Sequence, residues 1–171
     1  MPPILTIRPA CERFPGQWSN LFSKVLLDPL DHGPVDVLIN NAGYGHEGVL
    51  EESPIEKMRR QFDVNVFGAV TAAKAFLPRF REPRRGVIVN VTSMGGMITM
   101  PGIAYYCGGK FALQGISEAM RSEMAPFGVH VTTLCPAHSG QTGRGAPWSA
   151  QSGRLGITTA FLIRTAKRVR P

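Results

Sequence analysis

Val35-Asp36-Val37-Leu38-Ile39-Asn40, followed at once by Asn41-Ala42-Gly43, decides the fold of this chain. The run is short, mostly apolar and bounded by turn residues, with Gly33-Pro34 ahead of it. A strand with one wet face alternates apolar and polar residues, whereas a strand covered on both faces carries a run like this one. It therefore reads as a buried parallel strand. Two more of the kind follow, Gly86-Val87-Ile88-Val89-Asn90-Val91 and Val129-His130-Val131-Thr132-Thr133-Leu134. Helical signals fill the intervals. Trp18, Leu21, Phe22, Val25 and Leu26 fall at i, i+3, i+4, i+7 and i+8, the pattern of an amphipathic helix. Ser53-Pro54-Ile55-Glu56 offers a capping Ser, a first-turn Pro and a Glu placed for a capping box. The helix it opens is expected to run to about residue 78, and another spans about 103–124. Pro126-Phe127-Gly128 separates that helix from the last strand. Strand and helix alternate, which predicts an α/β fold on a parallel sheet. Beyond residue 139 Gly, Ser and Pro dominate as far as Gly156, and one short helix is expected over 158–169.

The helix over 103–124 carries Tyr106 and Lys110, four apart and hence on one face. An ammonium beside a phenol favours the ionised phenol, so a group of ordinary pKa ~10 can serve as acid or base closer to neutrality. Tyr105 is five from Lys110 and does not fit. Ser93 precedes Tyr106 by 13 residues, and Asn65 precedes Ser93 by 28. Asn40-Asn41-Ala42-Gly43 lies one strand-to-helix unit earlier. Singly, each residue has an ordinary explanation. Asn65 bends a helix or pairs with a neighbouring strand backbone, Ser93 is a loop hydroxyl, Tyr106 is core and Lys110 is solvated. The ordered set with these spacings is far more specific than any member.

On these residues the chain resembles the short-chain dehydrogenases/reductases, from about Val35 to Thr142. The resemblance implies a partial Rossmann-like, doubly wound parallel sheet and hydride transfer between NADP or NAD and a carbonyl or alcohol substrate. Tyr106 would be the acid/base. Lys110 would tune it and bond the nicotinamide ribose, Ser93 would donate to the developing alkoxide, and Asn65 would hold a relay water. Asn41, Ala42 and Gly43 would face the cofactor ribose, and Pro136 would lie by the nicotinamide. In the family the helices that carry Asn65 and Tyr106 commonly build a dimer interface, so a homo-oligomer is expected.

The chain departs from the family pattern at both ends. No Thr-Gly-x-x-x-Gly-x-Gly turn occurs, and Gly16 and Gly33 are the only glycines before the Asn40 motif. The expected Pro-Gly-x-x-x-Thr reads Pro136-Ala137-His138-Ser139-Gly140-Gln141-Thr142. The reading is thus an incomplete domain over 1–142, lacking the first βαβ cofactor unit, and a basic tail over 143–171. Ile4–Ile7 is a candidate for the family's third strand. The strand from Val35 is expected to be an exposed sheet edge, and the helices to cover one sheet face only. The alternative is a catalytically silent interaction or dimerisation protein derived from the family.

Composition sets the outer bounds. The 171 residues, 43% of them hydrophobic, suit one soluble domain. No apolar run approaches the ~20 residues of a membrane helix, and the start, Met1-Pro2-Pro3-Ile4, does not read as a signal peptide. Cys11, Cys107 and Cys135 are odd in number and lack CxxC spacing, which suggests a reduced, cytoplasmic protein with no metal site. The four histidines share no ligand spacing. The net charge of +7 belongs to the tail, since residues 124–171 hold six Lys/Arg and no Asp/Glu. Such a tail attracts nucleic acid or anionic lipid, but a solvated end is the reading preferred here over a nucleic-acid partner.

Overall fold

A computed structural model describes residues 4–7, 35–136 and 160–163. The expected helix around Trp18 lies outside the described residues. Among the described residues five strands form one sheet: β1 (Ile4–Ile7), β2 (Val37–Asn40), β3 (Gly86–Val91), β4 (Val129–Leu134) and β5 (Ala160–Ile163), in the order β1-β5-β2-β3-β4. The three strands read from the sequence form its parallel part. Val37 stands opposite Val87 and Asn40 opposite Asn90, while Gly86 to Val91 pair in step with Val129 to Leu134.

Strand periodicity then sorts the side chains. Leu38, Asn40, Ile88, Asn90, Val129 and Val131 point to one face and are buried. On the other face Val87 and Val89 are half-buried, and His130, Thr132 and Leu134 are exposed. The buried face is covered by helices α2 (Ala69–Arg81) and α3 (Ala104–Met124), while α1 (Ile55–Phe62) packs against α3. Ala72 and Ala73 bring α2 close to the sheet, and Phe76, Phe80 and Met120 fill the space against Leu38, Ile88, Val129 and Val131. Burying a Phe of this kind stabilises the fold by about 1.5–3 kcal/mol.

A polar thread runs through this apolar layer. Asn40 Nδ2 donates to Asn90 Oδ1 (2.8 Å) and to the Ala69 carbonyl (3.2 Å). Asn90 Nδ2 donates to Ser117 Oγ (2.8 Å), and Ser117 Oγ donates to the Leu113 carbonyl (2.6 Å). Two strands and two helices are thereby fixed in register, because a buried amide that loses its partner is costly. Ser117→Ala should lower stability by about 1–2 kcal/mol. Urea unfolding would show it, and an unchanged midpoint would mean that Asn90 finds another acceptor.

Five expectations are corrected. First, β2 is not an edge: Val37, Leu38 and Ile39 pair antiparallel with Ile163, Leu162 and Phe161. The free peptide groups that make an edge hazardous are satisfied by the chain itself. Second, Ala160–Ile163 is accordingly strand, not part of a helix over 158–169. Third, Ile4–Ile7 is a strand but pairs with β5 alone, antiparallel, so it does not extend the parallel ladder. Fourth, Ser53 does not cap α1. Pro54 is the N-cap and no side chain bonds the helix end. The Ser53 hydroxyl instead lies 3.1 Å from His46 Nε2. Fifth, the helix expected to end near residue 78 continues to Arg81 with Pro78 inside it, and it is interrupted by a π-helical segment, Asp63–Gly68.

Candidate active site

Parallel strands present their carboxyl ends along one rim, which is where open α/β sheets bind ligands. Here β2 exits into Asn41-Ala42-Gly43, β3 into Thr92-Ser93, and β4 into Cys135-Pro136. Thr92 ties two exits together, its N–H donating to the Leu134 carbonyl at 2.8 Å. Helix α3 starts at Ala104 and carries Tyr106 and Lys110 past this rim.

Lys110 is only 5% exposed, and its Nζ donates to the Val91 carbonyl at 2.9 Å. Burial lowers its pKa to about 8, and nearby Cys135 partly opposes that shift. Nζ stands 5.8 Å from the centre of the Tyr106 ring.

Asn65 comes from the π-helical segment. Val64, Asn65 and Val66 are all buried there, between the sheet and α3, which three successive residues of an α-helix do not readily achieve. The Asn65 carboxamide grips the Tyr44 peptide units: Oδ1 accepts from the Tyr44 N–H (3.1 Å), and Nδ2 donates to the Tyr44 carbonyl (2.8 Å). The sequence left open a pairing with a strand backbone; the partner is instead the turn that follows β2. Gly43 lies alongside. A Cβ there would stand 3.2 Å from Asn65 Oδ1 and 3.5 Å from Lys110 Nζ, so these three residues converge.

Ser93 is extended and its Oγ accepts from the Gly95 N–H at 3.3 Å, capping a short 3-10 turn, Met94–Gly96. The hydroxyl hydrogen is left as a donor. Tyr106 is half-buried, with its ring between two glycines. A Cβ on Gly45 would meet Cδ2 at 3.3 Å, and one on Gly95 would meet Cε1 at 3.1 Å. Tyr105 is occupied elsewhere: its hydroxyl donates to the Ser53 carbonyl (2.6 Å) and its ring stacks on His46.

The structure therefore brings Asn65, Tyr106, Lys110, Ser93 and the Gly43 turn to one rim. Asn41 and Ala42 are half-buried in that turn, and Pro136 is exposed just beyond β4. Residues 137–142, Thr142 included, lie outside the described residues. Sequence reading missed Gly45, Gly95 and the Val91 carbonyl. The Gly95-Gly96 pair directly after Ser93 was a visible signal for one of them, whereas a backbone carbonyl leaves none.

The sequence model of the short chain dehydrogenase family matches residues 16–152. An uncharacterised oxidoreductase of Bacillus subtilis, YusZ, is 39% identical over 105 residues, 61% of this chain and 38% of that one. A 3-ketodihydrosphingosine reductase of Bacteroides thetaiotaomicron is 43% identical over 106 residues, 62% of this chain and 39% of the relative. The chain thus spans well under half the length of these curated relatives. Among solved structures, ElxO with NADP bound superposes with a TM-score of 0.63 at 26% identity, over 70% of this chain and 48% of that one.

Proposed function

The chain belongs to the short-chain dehydrogenase family, and from that premise we propose that it serves a nicotinamide-dependent oxidoreductase acting on a carbonyl or alcohol. The observation that carries this reading is the convergence of Ser93, Tyr106 and Lys110 on one rim, with the bare backbone of Gly43 beside Lys110 Nζ. In this reading Tyr106 passes a proton to or from the substrate oxygen. The Ser93 O–H donates to the same oxygen, where charge develops. Lys110 holds an ammonium close by, fixed by the Val91 carbonyl. Asn65 fixes the turn that carries Gly43.

When bound, NAD or NADP supplies or accepts the hydride. The residues present fit its nicotinamide-ribose end. Gly43 is a cradle that any side chain would fill, and Lys110 Nζ lies within reach of it. Asn41, Ala42, Gly43, Tyr106 and Lys110 would hold that end, with Pro136 bordering it. The NADP held by ElxO supports the same cofactor class. On the substrate side Met94, Met97, Ile98 and Met100, all exposed, follow Ser93 directly and offer an apolar rim. An apolar carbonyl compound suits such adaptable side chains.

Titration with NADPH and NADH, followed by nicotinamide fluorescence and checked for aggregation by light scattering, tests the reading. Saturable binding is expected. A folded, unaggregated protein that binds neither would overturn it.

A second reading rests on Phe67 and Phe111, which are 55% and 42% exposed on the helical segments that carry Asn65 and Tyr106. Large exposed aromatics on adjoining helices suit a helix-to-helix interface between copies of the chain. Sedimentation should show a dimer that Phe67→Glu dissociates. A wild type that stays monomeric at tens of micromolar would remove this reading.

A further inference from the structure

Gln61 has no part in the proton transfer or coenzyme binding proposed above. It sits on α1, four residues before Asn65, and is 0% exposed. Its Oε1 accepts from the His46 N–H at 3.1 Å, while its Nε2 has no hydrogen-bond partner among the described residues. An apolar side chain of similar volume would fill the same space without a stranded amide, and a buried polar group is unfavourable unless its bonds repay it. Packing alone therefore does not account for glutamine at this position. The bond to His46 does.

That bond acts on the segment carrying Gly45. Asn65 holds both peptide groups of Tyr44, and Gln61 holds the N–H of His46. The intervening residue is Gly45, whose Cβ direction leads to Tyr106 Cδ2 at 3.3 Å. Gly95 closes the opposite edge of the ring, where an added Cβ would stand 3.1 Å from Cε1 and 3.2 Å from Cδ1. The His46 ring is held separately, stacked on Tyr105 and bonded to Ser53, so Gln61 is the group that holds its peptide.

We propose that Gln61 is a positioning residue for Tyr106: by fixing the His46 peptide it sets Gly45 as one wall of the slot that aims the phenol. Gln61, fully buried, acts through the His46 peptide. The catalytic consequence rests on the oxidoreductase reading above, but the positioning does not.

The test pairs nuclear magnetic resonance with kinetics on the full chain. In Gln61→Met the His46 amide should exchange about tenfold faster while the Tyr44 amide, held by Asn65, keeps its protection. The Tyr106 ring signals should show faster flipping as the slot loosens. Turnover should fall about tenfold with nicotinamide coenzyme affinity changed less than about twofold. Gln61→Glu, which keeps an oxygen for the His46 N–H, should restore turnover to within about threefold. If Gln61→Met does not fold, Gln61→Asn withdraws the oxygen by one methylene and takes its place. Unchanged His46 exchange and unchanged Tyr106 flipping overturn the inference. A wild type without coenzyme binding overturns the oxidoreductase reading alone, because the resonance measurements still decide this one.

Discussion

Tyr106→Phe should lower turnover of a carbonyl substrate by about 10²–10⁴-fold, the range that a positioned acid/base contributes. Stability should change by no more than about 0.5 kcal/mol. The ring stays in its slot, since the walls at Gly45 and Gly95 meet ring carbons and not the hydroxyl. Among the described residues the Tyr106 hydroxyl makes no hydrogen bond, so removing it strands nothing. Tyr105→Phe is the matched control. That change deletes the 2.6 Å bond to the Ser53 carbonyl in a buried setting, which should cost about 1 kcal/mol of stability and leave the proton-transfer step intact. The two phenols, adjacent in sequence, are thus expected to show opposite phenotypes. Initial rates and urea unfolding on both variants check this. A Tyr106→Phe protein with full turnover would remove Tyr106 from the chemistry.

Much of the scaffold was legible because its rules are local. Gly86–Val91 and Val129–Leu134 are continuous strand-type runs between turns, and the structure places both strands on those bounds. The spacing of four between Tyr106 and Lys110 survives because α3 is regular from Ala104 to Met124. Other features depend on partners far along the chain. The Ser53 capping box obeys every local rule, but the hydroxyl is engaged by His46, seven residues earlier. The π-helical turn at Asn65 exists where a side chain reaches across to the Tyr44 backbone, and a sequence window around Asn65 contains no trace of that. Ala160–Ile163 is too short to carry a period, and only pairing with β1 and β2 makes it strand. The site divides the same way. Side chains with characteristic chemistry can be named as candidates from sequence, whereas the Gly45–Gly95 slot and the Val91 carbonyl are backbone features.

Lys110→Met should abolish most turnover, on the order of 10²-fold or more, and yet leave the protein more stable at pH 7. The physical cause is desolvation. Lys110 is 5% exposed and its pKa falls from 10.5 to about 8, mainly through burial. Charging it in the fold therefore costs about 3 kcal/mol relative to the unfolded chain, at 1.36 kcal/mol per pKa unit. Losing the bond from Nζ to the Val91 carbonyl returns about 1–2 kcal/mol of that. A net gain on the order of 1–2 kcal/mol remains for the variant at pH 7. The sign with pH follows from proton counting. Below about pH 8 Lys110 is protonated in both states, and the penalty is whole. Between about 8 and 10.5 the unfolded chain keeps a proton that the folded chain has released, so wild-type stability rises with pH. Above 10.5 the penalty is gone. The variant lacks this slope, and its advantage should shrink across that window and then reverse, because the Val91 carbonyl still lacks its donor. Urea unfolding of both proteins at pH 7, 9 and 10.5 reads the difference directly. A variant less stable than wild type at pH 7, or a wild type whose stability does not rise across the window, would show that Lys110 is not strained by burial. Under the proposed function, a buried ammonium at this position is kept for the charge it brings to the rim beside Tyr106.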